Sequence, residues 1–186
     1  MSLAEAKAAA RQAAFARRKA AKAMAGGTPH ALLSSFLAGE DAAVVAGYMP
    51  INTEIDPRPA MAERIGLSSV CIPVIEGAGL PLRFAAWTPD TKLIPGPFKA
   101  LIPEEPSYLT PDLLIVPLVA FTRDGHRLGY GGGFYDRTLD ALRGCAPTLA
   151  VGFAYAAQEA ETLPMEATDA PLDAIVTERE IIDLRR

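Results

Sequence analysis

The segment DLLIVPLVAF, residues 112–121, is apolar at almost every position and only ten residues long. An element exposed on one side alternates apolar and polar residues with its own period, so a run without alternation is covered on both faces. Its length and branched side chains suit a central parallel strand, and Pro117, which has no N–H to give to a ladder, predicts that the strand ends early or bulges there. The same signature recurs in AAVVAGYM (42–49), TLAVGFAY (148–155) and DAIVTE (173–178), while SSVCIPVI (68–75) and LRFAAW (82–87) add strands around the Gly77-Ala78-Gly79 turn. Residues 4–25 form an Ala-rich, Pro-free stretch of high helix propensity that stops at Gly26-Gly27, and Thr28-Pro29 reads as the cap and first position of a second helix through Ala38. A third helix is expected near 57–66 and another from Phe134, whereas the Pro-rich stretch 89–111 reads as irregular. Strands hidden on both faces and alternating with helices predict an α/β chain. It is expected to be a single three-layer α/β/α domain over 1–186, with a mostly parallel central sheet, an N-terminal helix, and a ligand site at the carboxyl ends of the strands.

Charge is unevenly distributed. Residues 1–25 carry six Lys/Arg against Glu5, a local +5, which leaves −9 on the remainder of a chain whose net charge is −4. A basic arm on an acidic body suits nucleic acid, a membrane surface, a targeting role or a phosphorylated small molecule. No apolar run approaches the roughly 18 residues of a membrane-spanning helix, and no signal-peptide core stands at the N-terminus, so a cytoplasmic location is expected. Cys71 and Cys145 read as buried apolar fillers, and with only His30 and His126 beside them no zinc-ligand spacing occurs. Along a helix at 100° per residue, Lys7, Arg11, Arg18 and Lys22 fall within an arc of about 60°, from which Arg17 and Lys19 diverge.

Four of the five positions from Gly129 to Gly133 are glycine. Such a loop exposes backbone N–H groups that converge on an anion, and the helix that follows adds its positive end to the same place. The spacing matches neither G-x-x-x-x-G-K-[ST] nor G-x-G-x-x-G. Arg127 ahead of the loop supplies a phosphate-pairing cation, and Asp136 behind it a carboxylate of the kind that holds Mg²⁺. These residues suit an ATP-using enzyme, another phosphate-ligand enzyme on a similar scaffold (a sugar-phosphate isomerase or a CoA-transferase-like protein), or a non-catalytic nucleotide- or RNA-binding module. Against the last stands the single aromatic, Phe15, among the arm's cations.

The run RLGYGGGFYDRTL, preceded by VPLVAFTRDGH, resembles the signature of the 5-formyltetrahydrofolate cyclo-ligase family, also called 5,10-methenyltetrahydrofolate synthetase. Lys7-x-x-x-Arg11 is similar to that family's N-terminal ATP-binding pair, GYMPINTEID (47–56) to its folate-binding segment, and LPMEATDAPLDAIVTE (163–178) to its C-terminal acidic segment. The resemblance implies ATP- and Mg²⁺-dependent cyclisation of 5-formyltetrahydrofolate to 5,10-methenyltetrahydrofolate, with release of ADP and phosphate through a phosphorylated formyl intermediate. It implies that Lys7, Arg11, Arg127, Leu128, Gly129, Tyr130, Gly131, Gly132, Gly133, Phe134 and Tyr135 bind ATP, with Arg127, Lys7 and Arg11 neutralising charge in the transfer. By the same resemblance Asp136 and Asp173 hold Mg²⁺, and Met49, Glu54, Phe98 and loop residues 130–135 contact the folate. Some family members carry basic residues where Tyr130 and Gly132 stand, a charge that Arg137 is placed to supply. Arg17, Arg18, Lys19 and Lys22 are then left as solvated helix surface. The partners expected are 5-formyltetrahydrofolate and ATP, without nucleic acid or membrane, for a monomeric protein.

Overall fold

A computed structural model describes residues 2–185. Helix α1 (Leu3–Met24) starts at a reciprocal cap, in which Ser2 Oγ accepts from the Glu5 N–H and Glu5 Oε2 accepts from the Ser2 N–H, satisfying donors that the first turn leaves open. Helix α2 (Ala31–Ala38) begins at His30, not at Thr28-Pro29, because Thr28 is in a preceding turn whose carbonyl accepts the Ala31 N–H. There follow β1 (Val44–Ala46), α3 (Arg58–Arg64), β2 (Ser69–Val74) and β3 (Arg83–Ala86). The stretch read as irregular holds β4 (Leu93–Pro95) and β5 (Leu101–Pro103), antiparallel about a short turn of 3₁₀ helix at Pro97–Lys99, and then β6 (Tyr108–Leu109). Its prolines 95 and 103 end their strands, where proline disturbs a ladder least. Strand β7 (Leu113–Pro117) ends at Pro117, as its missing N–H predicted, and the chain resumes as a small hairpin of β8 (Ala120–Phe121) and β9 (Arg127–Leu128). Helix α4 (Phe134–Cys145), β10 (Leu149–Phe153), β11 (Ala174–Val176) and β12 (Ile181–Asp183) complete the order.

The main sheet has eight strands in the order β12-β11-β10-β7-β1-β2-β3-β6. The five from β11 to β2 are parallel, and β12, β3 and β6 extend the edges antiparallel. Alternate residues face opposite layers. Val45, Leu113, Ile115, Val151 and Phe153 pack with Leu33, Phe36 and Met61 of α2 and α3; Ala46, Leu114, Val116, Ala150 and Ile175 pack with Leu139 of α4. The chain is therefore α/β with helices on both faces. Cys71 is buried, and burial pushes its thiol up to about 12. Cys145, expected to be buried, is exposed, because it ends α4 beyond that helix's buried pair Thr138 and Leu139.

Connections leave the neighbouring strands β1 and β7 in opposite directions, β1 leading through α3 to β2 on one side and β7 through α4 to β10 on the other. In an open parallel sheet that reversal opens a crevice at the carboxyl ends of the two strands. Tyr48 and Met49 follow β1 into it, and Pro117 ends β7 there.

Candidate active site

The crevice is the mouth of a cleft of about 1340 Å³, whose walls come from α1, the segment after β1, the tip of the β4–β5 hairpin, residues 127–137 and residues 166–171. Lys7, Arg11, Met49, Glu54, Phe98, the whole stretch from Arg127 to Tyr135, and Asp136 all line it. Asp173 does not.

The glycine loop takes its shape from backbone angles that side chains resist: Gly131 lies at φ +99° and Gly133, the cap of α4, at φ +64°. A Cβ on Gly131 would sit 3.2 Å from Arg11 Nη2, so the loop's bareness is also what lets α1 approach. Arg11 Nε donates to Gly129 O at 2.8 Å, and Arg137 Nη2 to Gly132 O at 2.7 Å. Among the described residues no N–H from Gly129 to Gly133 donates to a backbone carbonyl. The loop therefore presents open donors flanked by two guanidinium groups, a cradle for an anion. Arg127 is buried, with Nη1 on Ala170 O at 2.6 Å and Nη2 on Asp136 Oδ1 at 2.8 Å.

Asp136 Oδ1 also accepts the Ala170 N–H at 2.9 Å, and Asp136 lines the cleft. Asp140, one helical turn on, lines the same wall. One aligned carboxylate oxygen beside a phosphate cradle fits Mg²⁺, which keeps several waters and takes one or two carboxylates along with substrate phosphates. The structure does not bring Asp173 to Asp136. Asp173 precedes β11, so it lies at the amino ends of the parallel strands, where its Oδ2 accepts from the Ala150 N–H at 2.7 Å and from Arg143 Nη2 at 2.8 Å. Arg143 is seven residues beyond Asp136, about 10 Å along the helix axis. The acidic residues of the C-terminal segment that do reach the cleft are Glu166 and Asp169, which hold Lys7 Nζ at 2.6 and 3.2 Å. Burial works against the charge on Lys7, but the two carboxylates raise its pKa overall.

On the opposite wall, Glu54 is 4% exposed. It caps no helix: Oε2 accepts the Ile51 N–H at 2.8 Å and Oε1 accepts the Tyr130 hydroxyl at 2.6 Å. Burial raises its pKa, against lowering by these two donors and by Arg18 and Lys22. Burial, then Glu54, likewise raise the Tyr130 phenol, and the buried Tyr135 hydroxyl has no partner among the described residues. Phe98 is no core aromatic. It is 64% exposed at φ +57°, with its ring edge-on to Phe134 at 5.8 Å. The expectation that Arg18 is solvated surface is overturned, since it is 1% exposed and bonds Thr53 Oγ1 and the Tyr130 hydroxyl. Arg17 and Lys22 tether α1 as well, to Ala157 O and Asn52 O. Helical spacing put Arg18 and Lys22 on one face with Lys7 and Arg11, and Arg17 off it, but could not tell which neighbour that face meets; the one available signal for Arg18 was Phe15 about one turn before it, an aromatic beside the cationic stripe.

Residues 4–178 match the 5-formyltetrahydrofolate cyclo-ligase family. The chain belongs to that family. The 5-formyltetrahydrofolate cyclo-ligase of Escherichia coli K12 is 38% identical over 146 residues, covering 74% of this chain and 79% of that one. The Haemophilus influenzae cyclo-ligase is 52% identical over 61 residues, about a third of each chain. The NMR structure of Aquifex aeolicus 5,10-methenyltetrahydrofolate synthetase superposes with a TM-score of 0.76 at 30% identity, covering 97% of this chain and 93% of the other. A methenyltetrahydrofolate synthetase structure from Mycoplasma pneumoniae, at 24% identity and a TM-score of 0.71, shares the fold. The cyclo-ligase match begins in α1 and ends just beyond β11, so it takes in every wall of the cleft.

Proposed function

We propose that this cyclo-ligase converts 5-formyltetrahydrofolate to 5,10-methenyltetrahydrofolate with consumption of ATP, in the cleft at the carboxyl ends of β1 and β7, and that residues 1–186 act as one unit. The observation that carries the reading is the meeting, in one cleft, of an open glycine cradle between Arg11 and Arg137 with the segment 48–54 that bears Met49 and Glu54.

A formamide carbon is a weak electrophile and its oxygen is a poor leaving group. In the proposed course the formyl oxygen attacks the γ-phosphorus and ADP departs; the N10 amine then attacks the activated carbon and loses its proton, and phosphate leaves to complete the methenyl bridge. The chain's task is to position reactants and neutralise charge. Lys7, Arg11 and the loop from Arg127 to Tyr135 receive the nucleotide phosphates, with Arg127 aligning Asp136 through its second guanidinium nitrogen. Asp136 would hold Mg²⁺, which when bound would neutralise charge on the phosphate oxygens. Met49, Glu54 and Phe98 line the folate side, Phe98 by offering an exposed ring face and Glu54 by accepting N–H donors.

Mixing the protein with Mg-ATP and 5-formyltetrahydrofolate is expected to give the near-ultraviolet absorbance of the conjugated methenyl bridge, with phosphate released in step. Absence of any absorbance change across a range of ATP concentrations would refute the reading.

A further inference from the structure

Helix α1 buries one cation almost completely. Arg18 is 1% exposed on a helix where its neighbours Arg17 and Lys19 are exposed, and no carboxylate of the described residues lies within ion-pair distance of it. Removing a guanidinium from water is unfavourable unless its charge and donors are matched. Nε donates to Thr53 Oγ1 at 2.9 Å and Nη1 to the Tyr130 hydroxyl at 2.7 Å, while the rings of Phe15 and Tyr130 flank the group at 5.2 and 5.5 Å. An arginine cannot accept a hydrogen bond, so the phenol oxygen accepts from Arg18 and its own proton must point elsewhere. It points to Glu54 Oε1, 2.6 Å away. The result is a directed chain from cation to phenol to carboxylate.

Resting on the proposed folate role of Glu54, we infer that Arg18 is a positioning residue for the reaction: it fixes the Tyr130 hydroxyl and, through it, the Glu54 carboxyl group that faces the folate. The same contact joins Tyr130 of the glycine loop to the wall that carries Glu54. Besides Arg18, the charged and titratable groups around Glu54 are Lys22 of α1, Tyr48 and Asp56 of its own segment, and Tyr130 and Tyr135 from the loop and α4. Of these, Arg18 and Lys22 are the cations, and only Arg18 reaches the carboxylate through a phenol; Lys22 Nζ bonds the Glu54 backbone oxygen.

Steady-state kinetics of Arg18→Met, Arg18→Lys and Tyr130→Phe on the full chain test this. Arg18→Met should raise KM for 5-formyltetrahydrofolate by about 10- to 100-fold, the loss of one charge-assisted bond, and leave KM for ATP within about threefold. The acidic limb of kcat/KM for the folate should move to higher pH, because a carboxylate deprived of a nearby cation holds its proton longer. Arg18→Lys should return that limb to the wild-type position while KM stays raised, since an ammonium keeps the charge but not two fixed donors. Tyr130→Phe should raise the same KM and add little on top of Arg18→Met, because both cut one link. If the Arg18 variants raise both KM values equally and leave the pH limb in place, or change only Tm, Arg18 is a structural tether and the inference fails. Should Arg18→Met not fold, an unchanged folate KM in Tyr130→Phe overturns it alone. Wild-type turnover with silent Arg18 and Tyr130 variants sinks this inference only; no wild-type turnover sinks the substrate reading itself.

Discussion

Two aspartates that the resemblance assigns to one metal, Asp136 and Asp173, differ in what they touch. Asp136, on the cleft wall, turns one oxygen to Arg127 and the Ala170 N–H; Asp173 ties the start of β10 to Arg143. Asp136→Asn should raise the Mg²⁺ concentration for half-maximal rate by about tenfold or more. Asp173→Asn should leave that value unchanged and lower stability by about 1–3 kcal/mol, the scale of losing a charged acceptor from part-buried donors. A magnesium titration and urea unfolding of both variants check this, and a shifted magnesium dependence in Asp173→Asn would restore it to the metal site. The glycine loop with Arg127 and Asp136 was legible because its chemistry is continuous in sequence. Which acidic residue of the segment 163–178 reaches the cleft was not, because the chain crosses from the carboxyl to the amino ends of the strands between Asp169 and Asp173. Arg18 was illegible for a related reason: a cation on a helix face reads as solvated unless its distant covering, here Thr53 and Tyr130, is known.

Among the elements, the parallel strands were legible because burial on both faces removes polar alternation, and β7 ends at the proline that predicted its end. Strand β12 and the β4–β5 hairpin were not: each strand is three residues long, as β1 and β11 are, but lies at an edge or outside the main sheet and is only partly buried, so no doubly covered apolar run marks it. The loop-to-helix unit at Gly129–Cys145 allows a paired test. Gly131→Ala places a Cβ at φ +99° and 3.2 Å from Arg11 Nη2. It should lower stability by about 1–2 kcal/mol through backbone strain and raise KM for ATP. Gly144 lies within α4, where an added methyl would meet no atom within 4 Å, so Gly144→Ala should instead stabilise by about 0.5–1 kcal/mol and leave KM unchanged. Urea melts and ATP titrations of the two variants decide it; equal effects would mean that the loop's left-handed backbone is not what shapes the cradle.

At the scale of the whole molecule, the charge asymmetry resolves into attachment. Five of the six cations of α1 bond groups far along the chain, from Asn52 to Asp169, so the basic arm is a clasp across an acidic body. Lys7 gives the clasp a pH signature. Its folded pKa is raised above the ordinary lysine value of 10.5, so its contribution is fully present below that value and is lost as pH rises through the folded one. Unfolding measured from about pH 8 upward should therefore show Lys7→Met less stable than the wild type, with the gap closing above about pH 10.5; a gap independent of pH would assign the loss to packing. The Lys7–Glu166 pair joins residues 159 positions apart, and that separation has a bearing on biosynthesis. A ribosome makes α1 well before the glycine loop, and the loop before residues 166–171, so the nascent chain carries the cations of α1 long before it has the wall that completes the cleft. Ligands that bind only the finished cleft can stabilise the completed protein by mass action but cannot guide the chain while it is being made.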